Sequence, residues 1–231
     1  MKKTVYVFFL IVCLAFFCAC KDSNNEKSNE VVEEIVEINN PYNFDNVDKT
    51  EFEGDGYPPE EYRKVLEINK NIPDDEEHSK AVITIYGEEI SKKKFISQKN
   101  ILKLQNESVS DKAVVYVLLE PIVLRNEAER LKVEPKGKEA LLEEYVEDLK
   151  EYFSSGQKAG YPEAYMEYYG YTQEEFIEES KEKMYNSWKH SEMYRNANKN
   201  GKYKNFDEYV SDLIKKSDLK IHDEQLDLQC R

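Results

Sequence analysis

Thiols, imidazoles and paired carboxylates are the usual sources of covalent or metal chemistry, and this chain offers few of the first two. Its cysteines are Cys13, Cys18, Cys20 and Cys230, and its histidines are His78, His190 and His222. The histidines lie far apart and in no His-Glu-x-x-His or comparable ligand spacing, so they are read as solvated side chains and no metal is expected. There is no glycine-rich phosphate loop and no Gly-x-Ser-x-Gly nucleophile turn. The carboxylate pairs Glu174-Glu175 and Glu178-Glu179 fall in helical sequence, where such pairs serve solubility and capping. Cys230, beside Arg231, is read as a frayed terminal thiol. No catalytic residue and no cofactor is assigned, so the chemistry left to the chain is binding. Cys20 is the exception, a thiol placed for acylation.

That placement comes from the residues before it. Lys2 and Lys3 lead an apolar stretch of about fifteen residues, Val5 to Ala19, and polar sequence begins abruptly at Lys21. The pattern is that of an export signal, shorter than the roughly 20 residues of a comfortable transmembrane helix. With Ala19 before Cys20, the junction resembles the lipobox of bacterial lipoproteins, in which a cysteine after a small residue receives diacylglycerol; Phe17 departs from the usual aliphatic residue. The resemblance implies that residues 1–19 are a signal peptide and Cys20 the lipid attachment. The protein would then be anchored to a bacterial cell membrane, facing the extracytoplasmic side. Loss of Cys13 and Cys18 with the signal would leave no even set of cysteines for disulfides.

The elements that must position a binding site are helices. Of 231 residues, 35% are charged and 40% hydrophobic, with only eight Gly and seven Pro, which favours amphipathic helices over a barrel or sandwich. A net charge of −14 excludes the basic face that a nucleic-acid partner needs. Residues 20–79 are polar and acidic, broken by Asn40-Pro41, Gly54, Gly56 and Pro58-Pro59, and are expected as a flexible tether with room for a short helix at Pro59 to Asn71. The folded domain is expected over 80–223, followed by a disordered tail at 224–231.

Within that domain, AVITIYGEEISKKKF (Ala81 to Phe95) opens as a β-branched strand, closes at Gly87 and enters helical spacing behind Ser91 as N-cap. Asp111 to Val133, dense in Val and Leu, is expected as the most buried helix, kinked or restarted at Pro121. Further helices are expected at Lys136 to Ser154, at Pro162 to Tyr169, from Thr172 behind a Thr172/Glu175 capping box, and at Asn205 to Lys216. Asp218 to His222, DLKIH, alternates as a short strand does and is the candidate partner of AVITIY. The expected fold is mainly α: an irregular helical bundle with a small two-stranded sheet joining the N- and C-terminal ends of the domain.

Taken in order, three motifs resemble the chaperone domain of the SurA and PrsA folding factors. Gly87, Ile90 and Phe95 match the strand-to-helix turn, Glu127, Ala128 and Val133 the end of the apolar helix, and Gly170, Thr172, Glu175 and Phe176 the opening of the long helix. The resemblance covers Ala81 to His222. Many relatives carry a parvulin-type prolyl isomerase domain before the closing helix; here only Asn198 to Asn205 occupies that place, too short for a domain of about 50 residues. The resemblance therefore implies a membrane-anchored, ATP-independent chaperone that holds unfolded exported polypeptides, with no isomerase activity.

Seventeen tyrosines and one tryptophan supply a surface for such clients. Tyrosine offers a large apolar ring and a hydroxyl at low entropic cost, which suits adaptable binding. Tyr161, Tyr165, Tyr168, Tyr169, Tyr185 and Trp188 are the candidate contacts, although the same positions suit helix-on-helix packing. The alternative function is a dedicated interaction lipoprotein that grips one folded partner in a cell-surface assembly. Cys20→Ser is expected to abolish incorporation of an alkyne-tagged fatty acid in bacterial cells and to release the chain from the membrane fraction, whereas Cys18→Ser changes neither.

Overall fold

In the computed structural model, which describes residues 40–45, 47, 59–155, 161–224, 226 and 228, the strand Ala81–Ile85 (β1) is hydrogen-bonded along both edges. The expected pairing with the end of the domain is present: β3, Lys220–Ile221, runs antiparallel to β1 with Ile83 opposite Ile221 and Thr84 opposite Lys220. His222 N–H extends the ladder to the Val82 carbonyl at 2.9 Å. The two-stranded sheet is corrected to three strands, in the order β2-β1-β3, because Glu88–Ser91 (β2) folds back on β1. The reversal needs two consecutive left-handed residues, and Tyr86 (φ 49) and Gly87 (φ 76) supply them; Tyr86 N–H is held by the Asp218 carboxylate at 2.6 Å.

Short caps launch the helices that follow. The expected N-cap Ser91 accepts from Lys94 N–H and starts α3, numbered after α1 (Pro59–Lys70) and the single-turn α2 (Glu76–Ser79); α3 itself is Lys92–Leu102. Ser110 caps α4, Asp111–Leu131, whose Val114, Val115, Leu119 and Val123 are almost wholly buried. This is the most buried element, as expected, and it does not restart at Pro121: Asp111–Leu131 is one helix. Pro121 is exposed, so its missing N–H costs a hydrogen bond on the solvent side while the buried face stays continuous. The chain goes on through α5 (Glu139–Ser154), α6 (Tyr161–Tyr169), α7 (Gln173–Ala197) and α8 (Phe206–Lys215).

The main core lies between the sheet, α3, α4, α8 and the end of α7, where Met193 is fully buried with Tyr209, Val210 and Ile214. Residues outside 80–223 also pack here. Phe44, only 3% exposed, enters this core, and Leu226 and Leu228 pack against it. Ser211 Oγ donates to the Phe44 carbonyl at 3.0 Å, and Asn40 Nδ2 donates at 2.7 Å to the Ile214 carbonyl, which also accepts from Ser217 at the end of α8. A smaller core joins Tyr62 and Leu66 of α1 to Ala164 of α6. Buried Asn69 ties α1 to α3, donating to the Ser97 carbonyl and accepting from Asn100. Residues 1–39, including the expected signal peptide and Cys20, lie outside the described residues, as does Cys230.

Phe44→Ala is expected to lower the unfolding free energy by about 3–5 kcal/mol, the usual cost of emptying a buried phenylalanine site. A urea titration of the full chain followed by circular dichroism checks it; an unchanged midpoint would mean that residues 40–45 do not belong to the domain.

Candidate functional site

Four of the six candidate aromatic residues lie on α6 and two on α7. The turn between these helices is capped from both sides. Gly170 takes φ 70, and Tyr171 N–H donates back to the Met166 carbonyl at 2.9 Å, which closes the end of α6. Thr172 and Glu175 then form the expected reciprocal box, with Glu175 N–H to Thr172 Oγ1 at 3.2 Å and Thr172 N–H to Glu175 Oε2 at 2.7 Å. Few backbone groups are left over, so the turn fixes the residues on either side of it.

The rings that meet there form one cluster. Tyr165 stands 4.4 Å from Tyr169 and 6.1 Å from Tyr171, centroid to centroid, and Tyr168 stands 4.7 Å from Tyr169 edge to face. Tyr169 and Tyr171 are 5.7 Å apart. Phe176 joins Tyr165 at 5.8 Å and Phe153 of α5 at 5.8 Å, and Tyr152 continues the chain of rings at 5.3 Å. These spacings are those at which aromatic pairs attract beyond simple burial. Tyr152, Phe153, Tyr171 and Phe176 were not among the candidates; the apolar face shared by Leu149, Tyr152 and Phe153 on α5 was the signal for two of them.

The five candidates whose side chains are described do not form one open cradle. Among them only Tyr169, at 46%, is exposed. Tyr165 is a bridge: its hydroxyl donates to Glu179 Oε1 at 2.8 Å, and Lys183 Nζ lies 4.7 Å from its ring centre. Tyr168 packs on the α1–α6 core with Lys70 Nζ 5.3 Å from its ring, and Arg63 pairs with Glu167 alongside at 3.2 Å. Tyr185 and Trp188 belong to a separate place on α7, facing the segment between α4 and α5. Tyr185 donates to the Glu134 carboxylate, and Lys138 Nζ lies 5.7 Å from the Trp188 ring. The side chain of Tyr161 lies outside the described residues.

Between α5 and α7 runs an open cleft of about 500 Å³, lined by Leu142, Tyr171 and Tyr185, by the carboxylates of Glu178, Glu179 and Glu182, and by Lys181. Three tyrosine hydroxyls of α5 and α7 are held above their ordinary range. Hydrogen bonding to Glu134 raises the Tyr185 hydroxyl, burial raises Tyr145, and burial together with the Glu163 carboxylate pushes Tyr152 up to about 12. The arrangement can stack, donate hydrogen bonds and attract cations. Among the described residues, no three His, Cys, Asp or Glu side chains converge as a metal site requires.

One histidine departs from its expected solvated state. His190 of α7 is partly buried, and that burial, with the Lys189 ammonium beside it, holds its imidazole down to about 4. Comparison with protein-family models, with curated proteins and with solved structures finds no match to this chain.

The unfolded chain binds a proton at His190 near pH 6.5, the folded chain only near 4. Between those values the unfolded state carries more protons, so folding stability declines as the pH falls from 6.5 and the loss is complete below 4. The loss is expected to be on the order of 1 kcal/mol, allowing for the part of the ring that water reaches. Urea midpoints at intervals from pH 7 to 4 measure it, and His190→Gln is expected to remove this part of the slope.

Proposed function

We propose that the protein is a lipid-anchored, extracytoplasmic holdase that binds unfolded exported polypeptides without ATP and without isomerising proline. The observation that carries this reading is the exposed ring of Tyr169, set in contact with Tyr165, Tyr168 and Tyr171 and held by a doubly capped turn. Each aromatic contact with a client is worth about 0.5–1.5 kcal/mol beyond burial, so two or three give weak, sequence-tolerant binding that reverses without an energy source. Ring positions set in advance cost the complex little further ordering.

The connection between α7 and α8 fits a chaperone without a catalytic insert. It spans 198–205, turns at Gly201 (φ 66), and is closed by Asn198 Oδ1 accepting from Tyr203 N–H at 2.7 Å. The anchoring at Cys20 and the extracytoplasmic location belong to the same proposal and rest on the sequence of the first twenty residues.

The test uses the full chain in nanodiscs of neutral lipid, because residues 40–45 and α1 are built into the fold. Added to a chemically unfolded reporter while light scattering is followed, it is expected to suppress aggregation at near-stoichiometric ratios. Tyr169→Ala with Tyr171→Ala should weaken suppression about tenfold, the loss of two ring contacts, with the helical circular dichroism unchanged. Absence of suppression at large excess would overturn the holdase reading in favour of a dedicated folded partner.

A further inference from the structure

The helical arm formed by α5, α6 and α7 up to Tyr185 is far more acidic than the rest of the chain. Residues 139–185 hold thirteen Asp and Glu against four Lys, a net charge of −9 out of −14 in about a fifth of the length. The two long helices of the arm pack against each other. Packed helix axes lie about 8–10 Å apart, close to the screening length at 0.1 M salt, so the two acidic surfaces act together on whatever enters between them. Several of these carboxylates have no cationic partner among the described residues: Glu143, Glu144, Asp148 and Glu151 on α5, and Glu182 at the cleft itself.

A second observation concerns the rings. Four aromatic side chains of the arm and its border already carry a lysine ammonium: Lys183 over Tyr165 at 4.7 Å, Lys189 over Tyr185 at 5.0 Å, Lys70 over Tyr168 at 5.3 Å and Lys138 over Trp188 at 5.7 Å. These rings therefore stand where the local field favours a cation on the π face, and one of them, Tyr185, lines the cleft. Lys183, exposed, pairs with Glu179 and donates to the Tyr165 hydroxyl at 3.1 Å, and Lys181, half-buried at the cleft itself, pairs with Glu178, in ion pairs of the kind that contribute little and exchange readily. A cation on another chain can take their place.

We infer that the cleft between α5 and α7 binds cationic segments of unfolded polypeptides, in which Lys or Arg alternates with aromatic or aliphatic residues. The apolar side chains enter between Leu142, Tyr171 and Tyr185, and the cations meet Glu178 and Glu182 at the rim. The assignment rests on the holdase reading and adds to it a class of client. It also accounts for two acidic helices being packed side by side, a repulsive arrangement that a bound cationic segment relieves.

Three fluorescent synthetic peptides of one length and one Tyr/Leu content, with Lys, Gln or Glu at the alternating positions, are titrated with the full chain in neutral-lipid nanodiscs and followed by anisotropy. The Lys peptide is expected to bind about tenfold more tightly than the Glu peptide at low salt. The difference should vanish near 1 M salt, where the screening length is about 3 Å. Glu178→Gln with Glu182→Gln, both on the surface, should weaken the Lys peptide about fivefold, as expected for two exposed charge contacts, and leave the Gln peptide unchanged. Equal binding of all three peptides would overturn the cationic preference and leave the holdase reading intact. Binding of none would overturn both. Full affinity of the Lys peptide for the doubly substituted chain would place the site elsewhere and also overturn the inference.

Discussion

The pairing of β1 with β3 is the constraint on which the rest of the domain depends. Val82, Ile83 and Ile85 are buried, and a strand so placed must satisfy the backbone groups on both edges. The hairpin with β2 satisfies one edge; the other is met by residues 220–222. Meeting that need brings α8 onto α4, and α8 in turn receives Asn40 and Phe44 from the chain before the domain. One ladder of a few hydrogen bonds thereby gathers segments from both ends around the apolar face of α4.

The arm is held differently. None of the α5 side chains is buried, and its apolar face is only half covered, by α7. It has no large core of its own, and its order comes from the caps at Gly170 and Thr172, the ring cluster, and α1 laid across α6. Regions with few buried apolar contacts open at lower free energy than the core they adjoin. A surface built there can adjust while the body stays folded.

How much was legible in the sequence differs between the two parts. The helices of the body announced themselves through apolar spacing and capping residues, and DLKIH through alternation. β2 was missed because Glu88 and Glu89 read as a polar link, and because Tyr86, one of the two left-handed turn residues, is a type that seldom takes that conformation. Phe44 was missed because a single aromatic in acidic sequence looks solvated until the hydrogen bonds of Asn40 and Ser211, residues 171 positions apart, are known. In the arm, spacing told which residues share a face of α7 but not how α7 is turned toward α6. Tyr185 and Trp188 were therefore grouped with Tyr165, and in the structure they meet Glu134 and Lys138 instead.

The β1–β3 ladder also sets the timetable of folding. The chain is made N-terminus first, so the β1–β2 hairpin can close as soon as residue 91 emerges, whereas β3 follows about 130 residues later. At synthesis rates of about 5–20 residues per second, that leaves β1 with one open edge for roughly 7–26 s. During this interval Ile83 and Ile85 await α8 and the final strand, and the nascent chain presents the kind of unpaired, apolar strand edge on which misassembly begins. The domain therefore stays open along one edge of β1 until residues 220–222 have emerged.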